Sequence, residues 1–187
     1  MKKGIDVSEN NGTVDWRAAV LSGIEFAIIR CSMGQFESDA LFAQNVALAH
    51  AAGLQVGAYH YSYAMDKEQS AQEAQNCKRA INDAGVLLEL PVFYDMEDAD
   101  GWKAQHNFSF NKNKITNMCQ VFINDIGLDS GIYSSHFWLC NYIDWQVLQC
   151  TVWNAEWGNT DSVRGYMWQY TDKFKIGTNV FDGDILY

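Results

Sequence analysis

Short β-rich runs alternating with helix-length segments constrain this chain more than any other feature. Such alternation predicts parallel β/α architecture, in which each strand is followed by a crossover that brings the chain back to the same end of the sheet. The runs predicted as strands are Gly4 to Ser8, Glu25 to Ser32, Gln55 to Tyr63, Pro91 to Glu97, Gly131 to Ser135, Thr151 to Ala155, Gly165 to Tyr170 and Asn179 to Asp184. The lone proline, Pro91, stands at a strand start, where no ladder donor is needed. Helices are predicted from about Asp15 to Ser22, through Leu41, Phe42, Val46 and Ala49 to a stop at Gly53, from Ser70 to Asp83, and from Ser109 to Ile126. The later strands are joined only by short connections. Eight strands in 187 residues leave too little chain for a regular barrel, which takes about 250. The expected fold is a single α/β domain, residues 1–187: a modified TIM-like β/α barrel with eight strands and a reduced set of outer helices. A doubly wound open sheet is the alternative.

Composition excludes several classes of function. A net charge of −10 argues against nucleic acid or an anionic membrane as partner, since both reward basic surfaces. No run of 18 apolar residues marks a membrane span, and the opening Met1-Lys2-Lys3-Gly4-Ile5-Asp6 enters a strand at once, without the apolar stretch of a signal peptide. Five cysteines (Cys31, Cys77, Cys119, Cys140, Cys150) form no C-x-x-C pair and are expected to be free thiols, mostly buried. His50, His106 and His136 form no spaced ligand set, so no metal is expected. The chain is expected to be a monomer.

The chemistry is concentrated in Tyr94-Asp95-Met96-Glu97-Asp98, at the end of an apolar strand. Residues two apart on a strand share a face, so Asp95 and Glu97 point together and Met96 points away. Repulsion and burial raise the pKa of one carboxyl in such a pair, and an acid still protonated near neutrality can protonate a glycosidic oxygen. Alone, this D-x-E is matched by an ordinary solvated strand end or a metal site. Asp6 strengthens the enzymatic reading, because parallel barrel strands end on one face. The last strand adds Asp182 and Asp184, which parity alone does not separate. Tyr59, Tyr61 and Tyr63 share one face of the third strand and are expected at the barrel mouth, with His60 packed behind them as a structural histidine.

At these residues the chain resembles the lysozymes of glycoside hydrolase family 25, bacterial and phage muramidases. The resemblance runs through Gly4-Ile5-Asp6-Val7-Ser8, Asp15-Trp16, Phe26-Ala27-Ile28-Ile29-Arg30, Ala52 to His60, Asp95-x-Glu97, Gly131-Ile132-Tyr133-Ser134 and Trp168-Gln169-Tyr170. It implies a β/α barrel short of outer helices, no cofactor, and cleavage of the β-1,4 bond after N-acetylmuramic acid in peptidoglycan. It also implies catalytic acids at Asp6, Asp95, Glu97 and Asp182, the last because Asp184 falls where the family pattern has Asn. Tyr59, Tyr61, Trp153, Trp157 and Gln169 are expected to hold substrate, Trp157 standing where the family commonly has Tyr. The expected setting is the bacterial cell wall, reached without a signal peptide as a phage-released endolysin or by non-classical secretion. Two alternatives stay open: an endo-acting glucosaminidase or chitinase, and a non-catalytic barrel that binds wall glycan.

Overall fold

The computed structural model describes residues 1–187 and contains a closed barrel. Its strands are β1 (Lys2–Val7), β2 (Phe26–Met33), β4 (Gln55–Tyr61), β5 (Val92–Asp95), β6 (Ser130–Ser135), β7 (Thr151–Ala155), β8 (Met167–Ile176) and β9 (Asn179–Leu186); β3 (Glu37–Ser38) is a short hairpin partner of β2 outside the ring. Pairing runs β1-β9-β8-β7-β6-β5-β4-β2, and β1 pairs with β2 to close the ring, which excludes the open sheet. Seven strands are parallel. β9 is not: it returns from β8 through a turn at Gly177 and runs antiparallel to both β8 and β1.

Helices cover the first half of the ring: α1 (Trp16–Leu21), α2 (Phe42–Ala51), α3 (Lys67–Ala84), α4 (Trp102–Gln105) and α5 (Lys112–Ile126). Only the six-residue α6 (His136–Asn141) and a short 3-10 turn (Trp145–Val147) follow β6, and no helix joins β7 to β8 or β8 to β9. Local chemistry sets the long helices. Asp66 caps α3 by accepting from the Gln69 amide, and Asn111 caps α5 by accepting from Lys114. Both helices end at a glycine in the left-handed region, Gly85 and Gly127. Their apolar faces enter a cluster of 37 buried residues that lies between helices and barrel.

Inside the ring, side chains alternate inward and outward as strand parity requires. The lower interior is an apolar plug of Phe26, Ile28, Leu90, Phe93, Trp153, Met167 and Leu186. Gly4 makes room for it: a Cβ there would lie 2.3 Å from the Phe26 ring. One layer above the plug, inward positions turn polar, and that change in layer creates the site.

Candidate active site

The inward residues at the C-terminal ends of the parallel strands line a cavity of about 300 Å³. Asp6, Asp95, Glu97 and Asp182, the four acids expected from the sequence, all border it. Tyr59, Tyr61, Trp153 and Gln169 border it as well. Trp157 does not. It is 61% exposed at the rim, and its indole N–H donates to Gln169 Oε1 at 3.1 Å.

Two details differ from the sequence reading. Glu97 lies two residues beyond the end of β5, so it is carried by a loop rather than a strand. The alternation nevertheless continues: the Met96 amide donates to Tyr133 O, and the Met96 side chain is buried in the outer core. The fourth acid was expected at the end of a strand running the same way as the others. β9 instead runs downward, and its register sets Asp182 opposite Asp6 and Asp184 opposite Gly4. Asp182 therefore faces the mouth while Asp184 sits one layer deeper.

Burial governs the electrostatics. Asp6 is pushed well above the ordinary carboxylate range by desolvation and then by the charge of Asp182; the Gln169 amide, donating to Asp6 Oδ2 at 2.9 Å, opposes this. Asp95 is raised by burial and by Glu97, against the Lys103 cation, and its Oδ1 has no hydrogen-bond partner. Glu97 is pushed up to about 7, mainly by burial, again opposed by Lys103. Asp182 is raised to about 6 by burial and by Asp172. Burial likewise keeps Tyr59, Tyr61 and Tyr133 as neutral phenols, available as hydrogen-bond donors.

Several residues of the site were given no role from the sequence, and Asp184 was weighed there only as the alternative to Asp182. Asp184 is fully buried, accepts from the Trp153 indole at 2.9 Å, and lies within hydrogen-bonding reach of Asp6. Its Oδ2 has no hydrogen-bond partner, and burial together with the charge of Asp6 pushes Asp184 well above the ordinary carboxylate range. Arg30 lines the cavity but is engaged by Asp39 at 2.9 Å and Glu9 at 3.3 Å. Tyr133 reaches Gln169 Oε1 with its hydroxyl at 3.1 Å. Parity marked both: Arg30 follows Phe26 and Ile28 inward, as Tyr133 follows Gly131. Lys103, 1% exposed, donates to the carbonyl oxygens of Ser62 and Glu97. A lysine in a polar loop gave no such signal.

His60 is buried behind the tyrosines, as expected. Its Nδ1 lies 2.7 Å from Ser32 Oγ, and its ring packs on Tyr94 and Phe122. All five cysteines are free; Cys31, Cys77 and Cys119 are buried, Cys140 is exposed and Cys150 is intermediate. No group of three or more His, Cys, Asp or Glu side chains is arranged to hold a metal ion, and no helix is long and apolar enough to cross a membrane.

Known proteins share this architecture. The chain is 28% identical over 156 residues to the autolytic lysozyme of Clostridium acetobutylicum, covering 83% of this chain and 45% of that one. It is 26% identical over 196 residues to lysozyme M1 of Streptomyces globisporus, covering 94% and 63%. The chain thus spans about half to two thirds of the length of these curated relatives. Among solved structures, the modular autolysin LytC from Streptococcus pneumoniae, in complex with a synthetic peptidoglycan ligand, superposes with a TM-score of 0.89 at 20% identity, over 100% of this chain and 46% of that one. A family 25 glycosyl hydrolase from Bacillus anthracis superposes with a TM-score of 0.80 at 22% identity, over 100% and 89%. The family model for glycosyl hydrolases family 25 matches residues 5–178, and the chain belongs to that family.

Proposed function

We propose that residues 1–187 form one catalytic domain, a muramidase that hydrolyses the β-1,4 bond between N-acetylmuramic acid and N-acetylglucosamine in peptidoglycan. The observation that carries this reading is the pairing of Glu97, poised to hold a proton near neutrality, with the buried Asp95 in a cavity floored by an apolar plug. The substrate is the glycan strand of the bacterial wall, and the wall is where the enzyme acts.

Glu97 is the general acid. Its longer side chain reaches from the loop beyond β5 to the leaving oxygen, and its pKa of about 7 keeps much of it protonated at physiological pH. Asp95 orients the 2-acetamido group of the sugar whose bond is cut. Its unpartnered Oδ1 is an acceptor for the acetamido N–H, and that hydrogen bond supplies what the ionised form lacks in the free enzyme. The acetamido carbonyl then attacks the anomeric carbon as Glu97 releases its proton to the departing oxygen. Water later opens the resulting ring, with Glu97 as base. Asp182 and Asp6 border the same space and hold the sugar hydroxyls; Tyr59, Tyr61, Trp153 and Gln169 shape the pocket around it. Trp157 closes the rim through Gln169.

The test is digestion of purified cell walls, followed by turbidity and by mass spectrometry of the released muropeptides. New reducing ends on N-acetylmuramic acid are expected. Reducing ends on N-acetylglucosamine would instead establish the glucosaminidase alternative, and walls bound but not cleared would establish a binding barrel. A first product with the α anomeric configuration would replace the neighbouring-group route by inversion.

A further inference from the structure

The mouth does not end at the acids. Tyr61 borders the catalytic cavity, and from it a row of aromatic rings leads outward: Tyr61 to Tyr63 at 5.1 Å, then Tyr63 to Trp102 at 5.2 Å. Tyr63 and Trp102 border a second depression, of about 420 Å³, whose far wall is the turn between β2 and β3 carrying Phe36. Phe36 is 75% exposed.

Two features show that this is a formed surface. The turn is clamped from below by Asn76, a buried side chain on α3. Its amide donates to Gly34 O at 2.9 Å and Glu37 O at 3.0 Å, and Arg79 adds a bond to Phe36 O at 3.0 Å. An exposed phenylalanine is thus presented on a fixed turn, with the ordering entropy already spent in folding. On the other wall, Tyr63 donates to Asp100 Oδ2 at 2.8 Å while Trp102 stacks on His106 at 4.0 Å, so neither ring turns freely. The result is a rigid aromatic shelf with carboxylate acceptors, Asp100 and Glu37, at its edge.

We propose that the Phe36–Tyr63–Trp102 shelf binds saccharide units of the glycan strand beyond those at the cleavage point. This rests on the wall-glycan activity proposed above. Continuity with the catalytic cavity through Tyr61 selects this occupant, since a polymer threaded over the acids must leave the mouth across some side of it. The chemistry also fits: pyranose rings offer a C–H face to an aromatic ring and hydroxyl donors to carboxylates, whereas an isolated apolar groove suits neither.

The test compares the parent enzyme with Phe36→Ala and Trp102→Ala on two substrates: long glycan strands freed of stem peptides by an amidase, and a tetrasaccharide fragment. For long strands KM is expected to rise roughly three- to tenfold, the worth of one aromatic stacking contact, while kcat changes far less. For the tetrasaccharide the loss is expected to be smaller. Calorimetric titration of the same peptide-free strands into Glu97→Gln, with and without Phe36→Ala, reads binding with turnover suppressed and keeps the shelf testable even if the proposed reaction were wrong. Equal losses on both substrates, or unchanged KM and affinity for long strands, would each overturn the assignment. Failure of the parent to cut any wall glycan would refute the activity instead.

Discussion

Replacing Glu97 by glutamine separates what the carboxylate does for catalysis from what it costs the fold. In the folded chain this group is raised from its ordinary 4.5 to about 7, chiefly by burial. An acid raised by folding binds its proton more tightly in the native state, so below the unfolded value both states are protonated and nothing is lost. As pH climbs through the window from about 4.5 to 7, the native state holds more protons than the unfolded one and stability falls. Each tenfold shift is worth about 1.4 kcal/mol, and partial exposure lets solvent screen part of the effect, so ionised Glu97 costs about 2–3 kcal/mol. Glu97→Gln removes that cost. Its Tm is expected to exceed the parent's by roughly 5–10 °C at pH 8 and to match it at pH 4. Turnover should fall about 10²-fold or more at every pH, as for a lost general acid, while wall binding persists. Calorimetric melts and wall-clearing rates on the same samples measure both. A melting difference that is no larger at pH 8 than at pH 4, or near-normal clearing, would refute the reasoning.

Asp184→Asn replaces an acid that must hold a proton to donate to Asp6 by an amide that always donates; clearing should persist to higher pH than in the parent, whereas Asp184→Leu should lose activity throughout, both read from pH–rate profiles. Lys103→Met removes the cation that opposes the upward shift of Glu97 and leaves the Ser62 and Glu97 carbonyls without their donor. It should move the basic limb of the pH profile to higher pH and cost about 1–3 kcal/mol in urea unfolding; an unmoved limb would exclude electrostatic coupling. Mild reductant should leave clearing unchanged, and the denatured chain should titrate five thiols without prior reduction.

Much of the barrel was legible because parity and burial leave local marks. Asp95 ends an apolar strand, Asp6 follows Gly4 on the inward face of β1, and the run Tyr59, His60, Tyr61 sorts itself into mouth and back by alternation alone. The direction of the last strand was not legible in the same way. β8 continues through Asp172, Lys173 and Lys175, polar residues on its exposed face that read as a connection, while its other face sets Phe174 and Ile176 with Phe181 against the outer core. Once Gly177 is seen to reverse the chain, Asp182 follows as the acid at the mouth. Lys103 left no mark at all. Its burial depends on two carbonyls brought together only by the assembled barrel, one from the segment after β4 and one from the loop after β5.

The antiparallel β9 also has a chemical consequence. A parallel last strand would present one acid at its C-terminal end, beside Asp6. Running downward, β9 places Asp182 at the level of Asp6 and Asp184 below it, against the apolar plug. Five carboxyls therefore share a small volume. The nearby cations offset them only in part: Arg30 is tied to Glu9 and Asp39, and the Lys103 amine, bound to backbone carbonyls, lowers Asp95 and Glu97 without cancelling the effect of burial. Such a cluster is tolerable only if it keeps protons, and every one of the five is raised. The depth of each sets its task. The deeper carboxyls, Asp184 and Asp6, lie one above the other and are held well above the ordinary range by burial, whereas Glu97 and Asp182 lie nearer the mouth; of these two, Asp182 is raised only to about 6, and Glu97, raised to about 7, is the one balanced between holding and releasing a proton near neutrality.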